Sequence, residues 1–154
     1  MSEPVTELMS LKDALSKHGF AVVQGKGTSM LPLIRNSRDR MCIRPLTRAP
    51  KKYDILVYTN AHGIIAHRLL KTDGETLVMC GDNQITKEAI KNDAVLGYVQ
   101  SIFRDDKCVE LEKHGGYKLY CRLWCASLFL RRCALFVLRR VSKSYKYETK
   151  FARG

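Results

Sequence analysis

A mainly β domain, preceded by a short helix and followed by a long basic helix, is the fold class this sequence predicts. Three observations carry that reading. Residues 40–44, 54–59, 64–72, 75–80 and 95–104 form short runs in which Ile, Val, Leu and Tyr are prominent, the side chains that suit a pleated, half-buried surface. Asp73-Gly74 separates two of those runs, and Asp-Gly marks a hairpin because its tight turn needs positive φ. Leu8, Leu11 and Leu15 recur at helical spacing before the first run, and residues 117–141 carry a longer apolar pattern after the last.

Taken in order, the first helix covers residues 5–18 and Gly19 stops it. Phe20-Ala21-Val22-Val23 reads as a strand leading into a turn at Ser29. Strands follow at 40–44 and 54–59, then a hairpin of 64–72 and 75–80 around Asp73-Gly74. Residues 84–92 read as a loop or short helix, and strands return at 95–104 and 108–112. Gly115-Gly116 marks a boundary. Beyond it, residues 117–141 read as one continuous helix. The organisation expected is an N-terminal helix and lead-in strand over residues 1–26, a β domain of 27–112 and a basic amphipathic helix and tail of 117–154.

With 154 residues, 45% of them hydrophobic, the chain buries one good core and reads as a single domain. It has no run of eighteen uncharged apolar residues, so no ordinary membrane span is expected. Residues 1–10 hold two glutamates and no basic residue, unlike a secretory leader. The expected location is therefore the cytoplasm. There the six cysteines, at 42, 80, 108, 121, 125 and 133, are read as reduced thiols. Cys121, Cys125 and His114 lie near one another in sequence, but their spacing does not match the common zinc patterns. No metal and no cofactor is expected.

Charge is unevenly spread. The net charge is +12, and residues 113–154 hold eleven Lys or Arg against the single acid Glu148. That leaves only about +2 on the rest, so an anionic partner is expected for the tail.

Chemistry concentrates in three blocks: Gly27-Thr28-Ser29-Met30-Leu31-Pro32, Ala66-His67-Arg68 and Gly81-Asp82-Asn83. A serine hydroxyl needs an adjacent base to act as a nucleophile at neutral pH, and that base gains from an acid that orients it. Ser29, His67 and Asp82 form such a set.

Between the first two blocks lie Arg38-Asp39-Arg40-Met41-Cys42-Ile43 and Tyr53-Asp54-Ile55-Leu56-Val57-Tyr58, and Val95-Leu96-Gly97-Tyr98-Val99 closes the series. In this order and spacing the blocks resemble the serine-peptidase superfamily of type I signal peptidases and LexA-type self-cleaving repressors. The resemblance covers residues 27–103, about half the chain. Arg38 and Tyr53 stand where that pattern has glycine. Of the acids after Gly81-Asp82-Asn83, Glu88 is out of place for the pattern's second aspartate and Asp93 abuts the last strand.

The resemblance implies a coiled, barrel-like β-fold and peptide-bond hydrolysis. His67 in place of lysine resembles the Ser–His branch, and the small size resembles short bacterial members. Ser29 would be the nucleophile, His67 the base and Asp82 its helper, with the Ser29 amide on the Gly27-Thr28 turn holding the oxyanion. The alternatives for these residues are a turn serine, a structural histidine and an acid that caps a turn. His18, His62 and His114 have no motif around them and read as surface or loop residues.

The helix expected at 117–141 is strongly apolar yet interrupted by Arg122, Arg131-Arg132 and Arg139-Arg140. Two placements are open. It lies in an anionic membrane interface, with its arginines snorkelling to headgroups and Trp124 at the boundary, or it packs on the β domain. Tyr145, Tyr147 and Phe151 interleave with the basic stretch 143–153, but no nucleic-acid motif accompanies them, and a nucleic-acid partner is not expected. The function expected is a serine endopeptidase cutting a peptide or leader segment at the inner face of the membrane. Self-cleavage is disfavoured, because only about twenty-six residues precede Gly27. The alternative from another class is a non-catalytic module that presents its basic helix to lipid or nucleic acid.

Overall fold

Among the described residues, eight antiparallel strands build one sheet in the spatial order first, second, seventh, third, fourth, fifth, sixth, with the eighth added to the C-terminal half of the seventh. The computed structural model describes residues 3–61 and 63–151. His62, the end of the basic tail and the side chain of Leu8 lie outside the described residues.

Helix α1 (Glu3–His18) ends where Gly19 takes a φ of +70° and donates its amide to the Leu15 carbonyl, the left-handed cap that glycine favours. The strands are β1 (Ala21–Gln24), β2 (Asp39–Arg44), β3 (Ile55–Asn60), β4 (Gly63–Thr72), β5 (Thr76–Cys80), β6 (Glu88–Lys91), β7 (Val95–Arg104) and β8 (Lys107–Glu110). The β4–β5 hairpin turns at Asp73-Gly74, where the Asp73 carboxylate accepts from the Glu75 and Thr76 amides and Gly74 has φ +102°. The segment 84–92, expected as a loop or helix, contains strand β6 instead. Its apolar content is slight, and it is a strand because β5 offers it a free edge, in the register Met79↔Glu88 and Leu77↔Ile90. β1 pairs with β2, so the lead-in strand belongs to the sheet.

Alternation along β3 divides the core. Ile55 and Val57 join Leu11, Leu15, Met30, Ile34, Met41, Ile43, Val99 and Ile102. Leu56 and Tyr58 join Leu69, Leu77, Met79 and Ile90 on the other face. Both faces of this central strand are therefore buried, which is why its sequence is a continuous apolar run. Tyr53, standing where the pattern has glycine, takes a φ of +79°, so the turn into β3 keeps a left-handed residue in spite of its side chain. Asp39, fully buried at the start of β2, accepts from Arg38, Arg104 and the Arg35 amide. Burial disfavours its charge, but the two guanidinium partners outweigh that and hold its pKa below the usual carboxylate range.

The C-terminal segment departs most from expectation. The single helix read over 117–141 is two, α2 (Gly115–Ala126) and α3 (Leu128–Val141), followed by α4 (Lys143–Phe151). Ser127 breaks it: its backbone is extended, and its hydroxyl accepts from the Leu130 amide, capping the second helix. Arg131, at one turn past the break, donates through Nε to the Trp124 carbonyl, satisfying an orphan group at the end of α2.

These helices pack on the domain. Leu135 and Tyr145 form a third core with Leu31, Trp124 and Leu138, and Glu148 of α4 accepts from the Ser37 amide and hydroxyl. Arg131 is 2% exposed, so it is not a residue reaching for headgroups. Among the described residues no helix is long and apolar enough to cross a membrane.

Leu135→Ala is expected to lower the unfolding free energy by about 3 kcal/mol, as for other buried Leu truncations. Urea unfolding followed by Trp124 fluorescence checks it. A loss near zero would mean that the helices do not hold to the domain.

Candidate active site

The register of β3 with β4 sorts the candidate residues before any chemistry is considered. Leu56 is opposite His67 and Ile55 opposite Arg68. Residues directly opposite share a face and successive residues alternate. His67 therefore shares a face with Leu56 and Tyr58, and Arg68 lies on the other.

On that other face Arg68 and Asp82 form a fully buried, two-pronged pair. Arg68 Nε donates to Asp82 Oδ1 at 2.7 Å and Nη2 to Oδ2 at 2.6 Å, with both side chains 0% exposed. Arg68 Nη1 reaches the Tyr53 carbonyl, the Tyr117 hydroxyl and Cys121 Sγ. Burial works against the guanidinium charge, but Asp82 overcomes it and holds the Arg68 pKa well above its ordinary value. Tyr120 of α2 donates to Asp82 Oδ2 at 3.0 Å, and Trp124 Nε1 to the Asp82 carbonyl at 2.9 Å. Asp82 makes no hydrogen bond to His67. Its place is structural in this arrangement, because strand alternation separates residues 67 and 68 and Arg68 takes both carboxylate oxygens.

His67 is 7% exposed. Its Nδ1 lies 2.9 Å from the Tyr58 hydroxyl, which donates to Glu88 Oε2 at 2.7 Å. Asn60 Nδ2 donates to Glu88 Oε1 at 2.8 Å. Burial lowers the His67 pKa below the ordinary histidine value, and the charges of Glu88 and Asp82 offset this only in part. Burial thus favours the neutral imidazole. Burial first, and then Glu88, raises the Tyr58 pKa, so the phenol keeps its proton.

Ser29 sits half-buried in the turn that follows β1. Met30 anchors this turn in the core, Gly27 takes a φ of +92°, and the Leu31 amide donates back to the Thr28 carbonyl. The turn is clamped to the Gly81-Asp82-Asn83 loop: the Asn83 amide donates to the Ser29 carbonyl at 2.8 Å, and Asn83 Nδ2 to the Thr28 carbonyl at 3.0 Å. A Cβ on Gly81 would lie 2.6 Å from the Ser29 carbonyl oxygen, so only glycine permits this approach. Among the described residues the Ser29 hydroxyl has no hydrogen-bond partner. The structure brings Ser29 to the Asp82 loop and His67 to Tyr58, but it does not join Ser29 to His67.

A cleft of about 910 Å³ opens over His67. Asn60, Ile65 and His67 line it from the strands, and residues 83–88 form one side. Arg132, Leu135, Phe136, Arg139 and Arg140 of α3 form the other. Asn83, which holds the Ser29 turn, lines this cleft and receives Arg139 Nη2 on its carbonyl and on Oδ1, each at 3.0 Å, and the Tyr145 hydroxyl on Oδ1. Arg131 Nη1 donates to the Gly81 and Gln84 carbonyls, fixing the loop from behind.

Sequence reasoning missed three contributors. Tyr58 read as an ordinary strand residue, Glu88 as an acid out of place, and α3 as half of one helix placed either at a membrane interface or on the β domain. Only the break at Ser127, a helix-capping residue, carried a signal for the last. The six cysteines are free thiols. Cys80, Cys121 and Cys125 lie against the Arg68 and Arg131 guanidinium groups. Among the described residues no cluster of His, Cys, Asp and Glu is arranged to hold a metal ion. Comparison with protein-family models, curated proteins and solved structures finds no match to this chain.

Asp82→Asn leaves Arg68 buried without its counter-charge. Breaking such a pair costs about 3–5 kcal/mol, so chemical denaturation is expected to show a loss of that size. The His67 titration, followed by NMR, should move only slightly in the variant that remains folded. A large change in the His67 titration with no loss of stability would return Asp82 to the imidazole.

Proposed function

We propose that the chain is a serine endopeptidase with Ser29 as nucleophile and His67 as general base, on a coiled, barrel-like β-fold of the signal peptidase and LexA type. The observation that carries this reading is a buried imidazole lining a cleft whose Asn83 wall grips the turn bearing Ser29.

The chemistry follows from those groups. Ser29 Oγ attacks the scissile carbonyl carbon as His67 Nε2 takes the hydroxyl proton. The C–N bond then breaks, and His67 returns that proton to the leaving amine. Water cleaves the acyl-enzyme by the reverse use of the same base. The Ser29 amide, on a turn made tight by Gly27 and with Thr28 beside it, holds the oxyanion. Catalytic hydrogen bonds are often long before substrate binds, and the dyad closes when a peptide lies between Asn83 and His67. Lys87, Arg132, Arg139 and Arg140 surround that path together with Ile65, Ile85 and Phe136. The peptide best matched to it carries apolar side chains with an acidic residue among them.

Ser29→Ala and His67→Ala are each expected to abolish cleavage of leader-type peptides, with the double variant little worse than either, because members of one catalytic unit are not additive. A folded Ser29→Ala protein cutting at the wild-type rate would end the peptidase reading. The wild-type rate should rise with pH through the lowered His67 pKa and level off by about the ordinary histidine value of 6.5, since only the neutral ring accepts the proton. Stability follows the same sign: protonating the buried ring on acidification costs folding free energy, and none is lost above that window.

A second reading concerns location, at an anionic membrane surface. Leu119 and Leu123 of α2 and Leu130, Val137 and Val141 of α3 are exposed large apolar side chains at helical spacings, on a segment with a large positive charge. An interfacial helix has this composition. Replacing Leu130, Val137 and Val141 by Ser should weaken co-sedimentation with anionic vesicles and spare cleavage of a short soluble peptide. Wild-type protein that ignores such vesicles at low salt would refute the membrane placement. If it binds them but cuts no peptide, the non-catalytic binding module becomes the better account.

A further inference from the structure

We infer that Tyr58 and Glu88 are positioning residues for His67: together they fix its proton on Nδ1 and leave the Nε2 lone pair as the basic site in the cleft. This rests on the peptidase reading for its use, but its geometry is independent of that reading.

The direction of each bond follows from what each group can give. A carboxylate only accepts, so at 2.7 Å the Tyr58 proton belongs to Glu88 Oε2. Tyr58 has one hydroxyl proton. Its oxygen, 2.9 Å from His67 Nδ1, has only lone pairs left for the ring and must accept. Nδ1 therefore carries the hydrogen, and in a neutral imidazole Nε2 is then bare. Asn60 occupies the other Glu88 oxygen as a donor, which favours the ionised carboxylate that this direction requires. The tautomer is the one a general base needs, and an acid reached through a phenol sets it.

Placement explains the interposed tyrosine. Glu88 is on β6, opposite Met79 of β5, whereas His67 is on β4. A direct carboxylate contact is replaced by Tyr58, which reaches from β3 across the same face as His67. β3 is irregular against β7 between Val57 and Tyr58, and such bulges re-aim a side chain. Tyr58 is wholly buried, so its hydroxyl has no access to bulk water and its orientation is set by Glu88. The charged and titratable groups facing His67 are Glu88 and Lys87 beside it, Asp82 behind it, Tyr58 on β3, and Arg132, Arg139 and Arg140 across the cleft on α3.

The test is the His67 tautomer in full-length protein, read from ring 15N chemical shifts and long-range 15N–1H couplings near pH 7.5. His67→Gln assigns the signal among the four histidines. Wild type is expected to show a hydrogen on Nδ1. In Tyr58→Phe the ring loses its acceptor, and the population should move to the Nε2-protonated form. Glu88→Ala frees the phenol to turn its proton toward Nδ1 and should have the same effect, so either variant suffices if the other fails to fold.

In activity, each substitution should lower kcat on the order of 10²-fold with KM little changed, the scale of a misaligned general base. Glu88→Ala should also shift the acid limb of kcat/KM to lower pH, because its charge favours the protonated ring. A merely packing role for Tyr58 and Glu88 would reduce stability and leave the tautomer and the acid limb in place, and that result overturns the relay. So does an Nε2-bound hydrogen in wild type. A wild type that cuts no peptide, yet keeps the Nδ1 hydrogen and loses it in Tyr58→Phe, ends the peptidase reading and supports the relay.

Discussion

Arg68 and Asp82 meet where neither is exposed to water, and much of the structure is arranged so that they can. Stripping water from a guanidinium and a carboxylate costs several kcal/mol each, and their attraction offsets this only with good geometry and full hydrogen bonding. The two-pronged contact supplies the geometry. Tyr53, Tyr117, Cys121, Tyr120 and Trp124 supply the remaining contacts to the pair and to the Asp82 backbone. Three of these five residues are aromatic side chains of α2. The pair is therefore complete only when the C-terminal helices are docked, and the β-sheet and its helical cover depend on one another.

That dependence reaches the cleft through one short loop. Gly81 lets the backbone of Ser29 approach, Asp82 closes on Arg68, and Asn83 holds the Ser29 and Thr28 carbonyls while lining the cavity over His67. α3 fixes the same loop from outside through Arg131 and Arg139. Three consecutive residues thus pass positional information between scaffold and cleft. β4 divides the labour: Arg68 serves the scaffold on one face and His67 the cleft on the other. A strand does this with adjacent residues because its side chains alternate.

The cleft sets basic surroundings around a neutral imidazole. Lys87, Arg132, Arg139 and Arg140 line the cavity with Glu88, and Glu88 is committed to Tyr58 and Asn60. Burial opposes protonation of His67, and the charges of Glu88 and Asp82 offset it only in part. For the peptidase we propose, such a setting keeps the base useful near neutral pH without a tight ion pair of its own, and a hydrogen-bond chain orients it without making it too basic to return its proton.

Most of the strands, the hairpin at Asp73-Gly74, the helix stop at Gly19 and the three blocks at Ser29, His67 and Asp82 are legible in the residues alone. These are local properties: side-chain periodicity, the φ that Gly allows, and residue types at fixed spacing. The partners, by contrast, follow from the way the strands and helices pack. Nothing near Asp82 in sequence says that Arg68 will take both of its oxygens, since that depends on which face of β4 meets the loop. Glu88 gains a role only because β5 recruits residues 88–91 as an edge strand, and Tyr58 only because β3 lies beside β4. The apolar, arginine-rich segment 117–141 was compatible with a bilayer or a protein surface. The helices pack on the β domain because Ser127 breaks the segment and the Gly81 and Gln84 carbonyls give Arg131 its acceptors.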